Sequence, residues 1–138
     1  MNNSLLLPLI ILSLIIVLFV IVSISSKRVD RKKSERLIKE LFSLEKATNS
    51  DEIAIRRDAI IKLDNLLSKS LQLYFNNDLS CGENLKLADK LFRKKEYNAL
   101  WNIHKLRNNV VHNDYAVSKE ESLKSFRIYK NSIIKILQ

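Results

Sequence analysis

Residues 5–24 read LLLPLIILSLIIVLFVIVSI, an almost unbroken apolar run that only Pro8, Ser13 and Ser23 interrupt. Twenty residues of α-helix extend about 30 Å, which matches the hydrocarbon core of a bilayer. Only a helix satisfies its own backbone polar groups in that setting. A proline in the first turn of such a helix costs little, because the N–H it lacks would have no partner there. The run therefore predicts one transmembrane helix.

A cleaved signal peptide is the alternative interpretation of this run. No basic side chain precedes the run, its apolar stretch is longer than that of a signal peptide, and no small-x-small cleavage site follows it. We therefore expect residues 1–26 to form a retained membrane anchor.

The residues directly after the anchor are strongly basic. Residues 1–4 carry no charged side chain, whereas residues 27–36 carry six basic and two acidic ones. The positive-inside rule then predicts a single-pass protein with its N-terminus outside and its C-terminal domain in the cytoplasm. A second interpretation is that this juxtamembrane segment binds anionic lipid, or nucleic acid near the membrane. Its basic residues are Lys27, Arg28, Arg31, Lys32, Lys33 and Arg36.

Composition favours an all-α fold for the rest of the chain, residues 37–138. The 138 residues include one glycine and one proline, too few for the many turns of an all-β protein. The single cysteine, Cys81, allows neither an internal disulfide nor a cysteine-built zinc site, and fits a reducing compartment. We expect no cofactor and no metal site. Beyond Arg36 the chain has 18 basic and 13 acidic residues, and this net charge of +5 is spread out and indicates nucleic acid only weakly.

Apolar periodicity predicts an up-down bundle of about four helices joined by short connections. Asn49 is expected to cap the second helix, with Glu52 three residues on. Asn76, Asn77 and Gly82 are expected to mark the break after it. A capping box at Ser118 opens the last helix. The predicted helices cover residues 31–47, 50–75, 84–92, 96–112 and 118–137.

Two of these helices carry polar residues where a core is expected. Asp64 falls inside the apolar stripe of the second helix, so its carboxylate needs a partner or a proton. His104 and Arg107 fall inside the apolar arc of the helix near 96–112, and His112 lies near the edge of that arc. In the structural interpretation, Arg107 pairs with Asp64 and His104 is a hydrogen-bonded core histidine.

The functional interpretation is a phosphate or anion site made of Arg107 and His112. Five residues along an ideal helix separate the two side chains by roughly 140°. They cannot converge within one regular helix, so either the helix unwinds near residues 109–112 or a second protomer completes the site.

The stretch from Arg107 to His112 (RNNVVH) resembles the R-x4-6-H signature of HEPN domains. Residues 101–112 also follow the pattern W-x-x-H-x-L-R-N-x-x-x-H of a membrane-anchored, HEPN-like subgroup of small bacterial proteins. Residues 59–67 are similar to that subgroup's apolar helix with an internal aspartate, and residues 81–86 to its turn into a short helix. The resemblance covers roughly residues 53–137. It departs at Asn113 and Asp114, where the subgroup has a glutamate directly after the histidine.

The resemblance implies a four-helix bundle that dimerises through its motif-bearing helices. In catalytic members, paired arginines and histidines form a metal-independent ribonuclease site, and many other members are non-enzymatic binding or assembly modules. Carried over, His112 would handle the proton of the attacking 2′-hydroxyl, Arg107 would stabilise the phosphate, and Asn108 would orient the arginine.

Two functions therefore stay open. The favoured one is a membrane-anchored, non-catalytic module that dimerises or binds RNA or a partner protein. The alternative is a metal-independent endoribonuclease with a composite site at a dimer interface. Other enzyme classes lack their motifs, since the chain has no Gly-rich phosphate loop and no serine in a nucleophile-elbow context.

Overall fold

The computed structural model describes residues 3–25 and 29–138, and those residues form helices and no strand. The predicted all-α class is confirmed. Six helices follow the apolar one, four of them long and two short. The helices are α1 (Asn3–Ser25), α2 (Arg31–Ser43), α3 (Glu45–Thr48), α4 (Ile53–Phe75), α5 (Cys81–Leu87), α6 (Lys94–His112) and α7 (Lys119–Leu137), with a 3-10 turn at Asp89–Leu91.

Helix α1 is apolar on all sides and buries none of its central span. The segment Leu6–Ser23 has a mean hydropathy of 3.2, and its large side chains are exposed. It is long and apolar enough to cross a membrane, a property that an anchor and an N-terminal signal sequence share. The helix begins at Asn3, so Pro8 lies in its second turn, one turn later than predicted.

Helix α4 is the central element of the bundle and packs against α2, α3, α5, α6 and α7. Its predicted apolar stripe is buried through the middle, where Ile60, Leu63, Leu67 and Leu71 have no exposed surface. The two ends of that stripe, Ile53 and Tyr74, are exposed. The core is therefore built on the central turns of α4.

Side-chain caps fix where several helices begin. Asp30 caps α2 by accepting hydrogen bonds from the backbone N–H groups of Lys32 (3.0 Å) and Lys33 (3.1 Å). The predicted capping box at Ser118 is confirmed, with Glu121 as its reciprocal partner. A second capping box, Ser80 with Glu83, opens α5. These caps satisfy N–H groups that have no partner within their helix.

The predicted cap of α4 is wrong. Asn49 ends α3 instead, and Glu52 stands at the N-cap of α4 with no side-chain cap bond. Ser50 makes the local contact, accepting a hydrogen bond from the Glu52 N–H at 3.1 Å. A separate short helix occupies residues 45–48, which shifts the start of α4 past the reach of Asn49.

The break after α4 has a left-handed residue at its start. Asn76 has φ 52°, a conformation that asparagine tolerates better than most residues and that ends helices. Asn77 and Asn84 then exchange two side-chain hydrogen bonds, at 2.8 and 3.0 Å, across the turn. Gly82, which was predicted to mark this break, lies within α5 instead.

Candidate functional site

The candidate site is centred on the carboxylate of Asp64, which lies on the buried face of α4. Its side chain is 3% exposed. The Nδ1–H of His104 donates to both oxygens, at 2.9 Å to Oδ1 and 3.1 Å to Oδ2. The hydroxyl of Tyr129, on α7, donates to Oδ1 at 3.0 Å. Because an ionised carboxylate only accepts hydrogen bonds, these contacts require a proton on His104 Nδ1.

Arg107 approaches the same carboxylate less closely. Its Nε lies 3.6 Å from Asp64 Oδ2, which is an ion-pair distance and too long for a hydrogen bond. That Nε is buried and has no hydrogen-bond partner. The Nη1 group instead donates to Asn108 Oδ1 at 3.1 Å. Asp64 therefore faces one loosely held cation as well as two tightly bound donors.

The structural interpretation of these residues accounts for their geometry. The three elements α4, α6 and α7 each contribute to one buried polar cluster, consisting of Asp64, His104, Arg107 and Tyr129. The carboxylate that the sequence placed in the core has partners, as a buried charge requires. We call this set the Asp64 cluster.

Tyr129 joins the cluster from α7, although the sequence did not single it out. Its ring is fully buried, and its hydroxyl lies 3.3 Å from the Ile103 carbonyl as well as near Asp64. Burial, and then the charge of Asp64, raises the pKa of Tyr129 well above its ordinary value. The phenol therefore stays protonated and remains a donor.

Three residues of the Asp64 cluster, namely Asp64, His104 and Arg107, line a cleft that is open to solvent. The cleft has a volume of about 470 Å³. A quarter of the Arg107 side chain is exposed, so the guanidinium remains accessible from this side. The other polar residues that line the cleft include Asn65, Ser68, Ser80 and Asn108.

Cys81 lies close to the cluster but is not an activated nucleophile. Burial, followed by the nearby charge of Asp64, raises the pKa of the Cys81 thiol far above its ordinary value. Nucleophilic cysteines need the opposite shift, toward the thiolate. The geometry therefore gives no support to cysteine-based catalysis, although His104 and Asp64 are nearby.

Asp64, Cys81 and His104 offer ligand atoms that lie within 4.8 Å of one another. Cys81 is distant from both histidines along the chain, and the packing of α5 against α4 brings it near His104. The donor types suit zinc. The site itself suits it poorly, since Asp64 already accepts from His104 and Tyr129 and the Arg107 cation lies beside it. A metal ion would have to displace those donors and deprotonate a buried thiol.

His112 stands apart from the Asp64 cluster. It is exposed in the last turn of α6. Among the described residues, no hydrogen bond or ion pair joins it to Arg107. Helix α6 is α-helical through His112, so the first of the two alternatives, unwinding near residues 109–112, does not occur. One chain therefore does not assemble a site from Arg107 and His112.

Two arginines that the sequence did not single out bind carbonyls at the end of α6 and in the segments before α4 and α7. Arg56 is 7% exposed, and its guanidinium donates to the carbonyls of Val117 (2.9 Å), Ser50 (2.8 Å) and Asp51 (2.9 Å). Arg57 donates to the Val110 carbonyl at 3.0 Å and pairs with Asp114. Arg56 lies four residues before Ile60 and seven before Leu63, so helical spacing alone placed it on the buried stripe.

The basic residues that were predicted to flank the membrane are only partly described. Lys27 and Arg28 lie outside the described residues. Arg31 pairs with Glu35, and the other three basic residues of the segment are exposed on α2. That helix belongs to the bundle, since Ser34 is buried and its hydroxyl donates to the Leu137 carbonyl at 3.2 Å.

Comparison with protein-family models, with curated proteins and with solved structures finds no match for this chain. The chemistry of the Asp64 cluster and its cleft therefore carries the functional argument.

Proposed function

We propose that this chain is a membrane-anchored, cytoplasm-facing, HEPN-like helical module that acts by dimerisation or by binding RNA or a partner protein, without catalysis. One observation carries the non-catalytic part of the proposal. His104 and Arg107 both turn toward the buried Asp64, so the conspicuous polar side chains of α6 serve the interior of the bundle. His112, the residue that would move a proton, contacts neither of them.

The membrane part of the proposal rests on α1 and on the charges that follow it. A helix that is apolar on all sides and exposed requires another apolar environment, and a bilayer supplies one. The excess of basic residues at 27–36 supports a cytoplasmic C-terminal domain.

Extraction of membranes with alkaline carbonate tests the anchor. We expect the full chain to remain in the pellet at its full mass of 16.1 kDa. Recovery of a shorter chain in the supernatant, starting after the apolar run, would instead establish a signal sequence. Protease treatment of sealed, inside-out vesicles tests orientation, since a cytoplasmic domain is digested in them.

The surface of α6 supports the dimerisation part of the proposal. Val111 is 44% exposed, next to His112 in the motif. A contact between two copies of α6 would cover this apolar side chain and bring two motifs together. Confinement to a membrane raises the effective concentration for such an encounter.

Light scattering of the full chain in detergent tests this contact. We expect a dimer for the wild type and a monomer for Val111→Glu, because the substitution would place a charge in the covered surface. Leu87→Glu is the matched control, since Leu87 is an equally exposed apolar residue on α5 and should leave the dimer intact. Equal masses for both variants would refute an α6 interface.

One observation keeps the ribonuclease alternative in consideration. The guanidinium of Arg107 is accessible in the cleft, and His112 is exposed, so a second chain could combine the two. The test is incubation of the full chain with structured and single-stranded RNA, with and without EDTA. Cleavage that survives EDTA and is lost in His112→Ala would establish the enzyme. RNA binding without cleavage, unchanged in His112→Ala, would support the non-catalytic module.

A further inference from the structure

A second cleft lies between α2 and α4, away from the Asp64 cluster. Its volume is about 560 Å³. Lys33 and Arg36 of α2 line it, as does Lys69 of α4. Two half-buried leucines, Leu37 and Leu73, contribute an apolar surface between the basic side chains. We call it the basic cleft.

The three basic side chains of this cleft are exposed and lack acidic partners. Within residues 29–138, none of them forms an ion pair, whereas several other basic residues do, such as Arg31, Lys62 and Lys135. Glu40 and Asp78 also line the cleft, which leaves it with an excess of one positive charge. Because these basic side chains form no ion pair within the described residues and the cleft keeps a net positive charge, we expect it to attract an anion.

The position of the cleft in the chain points to the source of that anion. Five peptide steps separate Ser25, at the end of α1, from Asp30, and they span at most about 18 Å. Lys33 and Arg36 then lie in the first two turns of α2. If α1 crosses a bilayer, the chain holds these side chains close to the lipid headgroups.

We propose that the basic cleft binds the headgroup of an anionic phospholipid. Lys33, Arg36 and Lys69 hold the phosphate, and Leu37 and Leu73 face the glycerol and the first methylenes of the acyl chains. This inference rests on the proposed membrane anchoring. It goes beyond a topology signal because Lys69 lies 33 residues after Arg36 and joins the site only through folding.

Native mass spectrometry of the full chain, released from neutral detergent, tests the proposal. The probes are dioctanoyl phosphatidylglycerol, dioctanoyl phosphatidylcholine and inorganic phosphate. We expect phosphatidylglycerol to bind at least tenfold more tightly than phosphatidylcholine. The variant K33Q/R36Q/K69Q should lose that preference, because each cation near anionic lipid contributes about fivefold.

The matched control is K90Q/K94Q/K95Q, which removes three exposed positive charges elsewhere on the bundle. It should retain the preference of the wild type. Equal losses in both variants would refute a specific site and leave only general attraction of charge. Displacement of the lipid by inorganic phosphate at matched concentration would also refute the proposal, by identifying a site for soluble phosphate.

The two proposals fail separately in these experiments. Loss of the lipid preference in a chain that stays in the carbonate-washed pellet refutes the basic cleft alone. Release of the chain from the pellet refutes the membrane anchor, whatever the lipid titration shows. Thermal unfolding of each triple variant checks that it is folded, which we expect because all six side chains are exposed.

Discussion

The two halves of the motif in α6 lie in opposite environments. Arg107, with His104 one turn before it, faces the interior and a carboxylate that is almost fully buried. His112 lies five residues later on the same unbroken helix and faces solvent. An R-x4-H motif can therefore combine an arginine that stabilises the core with a histidine that lies on the surface. His104 and Arg107 therefore stabilise the fold, and His112 is the residue of the motif that a partner can contact.

Removal of the central carboxylate is expected to have the largest effect on this comparison. Asp64→Ala leaves the Arg107 cation without its acidic partner and the His104 Nδ1–H without its acceptor, so it should lower the free energy of unfolding by about 3–5 kcal/mol. Urea denaturation in detergent measures the loss. Asp58→Ala is the control on the same helix, where an exposed pair with Lys62 should contribute less than about 1 kcal/mol. Similar losses for both variants would contradict a central role for Asp64.

Arg107→Ala is expected to have the next largest effect and to lower the free energy of unfolding by about 1–2 kcal/mol. The ion pair is long and partly exposed, so its contribution is smaller than that of a fully buried pair. His104 and Tyr129 also remain to satisfy Asp64. Arg127→Ala, at an exposed position on α7, is the control. If both arginine variants melt like the wild type, Arg107 is free for another role and the ribonuclease alternative gains support.

Tyr129→Phe should lower the free energy of unfolding by about 1 kcal/mol at neutral pH, since it removes one hydrogen bond to Asp64. It should also change the dependence of stability on pH. Below about pH 10 the phenol is protonated in the folded and in the unfolded chain. Above about pH 10 only the unfolded chain loses the proton. Stability then falls by about 1.4 kcal/mol per pH unit as pH rises toward the raised pKa of the folded state.

Urea denaturation between pH 7 and 11 checks this expectation. The wild type should lose stability above pH 10 more steeply than Tyr129→Phe. Cys81, whose pKa is also raised in the folded state, adds a similar loss that begins near pH 9 in both proteins. Tyr74→Phe, at an exposed position, should follow the wild type. Parallel curves for the wild type and Tyr129→Phe would exclude a buried, protonated phenol.

His112→Ala is expected to have the smallest effect. Its free energy of unfolding should lie within about 0.5 kcal/mol of the wild-type value, because exposed side chains without partners contribute little to stability. Urea denaturation in detergent measures it, as for Asp64→Ala. A loss comparable to that of Arg107→Ala would mean that the two ends of the motif share one structural role after all.

Much of this structure followed from helical spacing. The position of Asp64 on the stripe of α4, and the positions of His104 and Arg107 inside the arc of α6, are properties of a single helix. The capping box at Ser118 is equally local. Arg56 could have been found in the same way, because it continues the stripe of Ile60 and Leu63.

The remaining features depend on how helices pack, and no local pattern encodes that. Tyr129 lies 65 residues from Asp64, and its hydroxyl reaches the carboxylate only because α7 packs against α4. Cys81 approaches His104 because of the placement of α5. Lys69 joins Lys33 and Arg36 because α2 lies along α4. Each of these contacts is long-range, so a sequence pattern can identify the residues but not their partners.

The hydrogen bond from Ser34 to the Leu137 carbonyl places the end of α7 beside α2, the helix that follows α1 in the chain. A fluorescent protein or affinity tag fused after Gln138 would therefore emerge on the same side of the bundle as the chain leading to α1. Mechanical pulling between α1 and such a fusion would load the contact between α2 and α7 first. The central helix α4 would bear force only after that contact had opened.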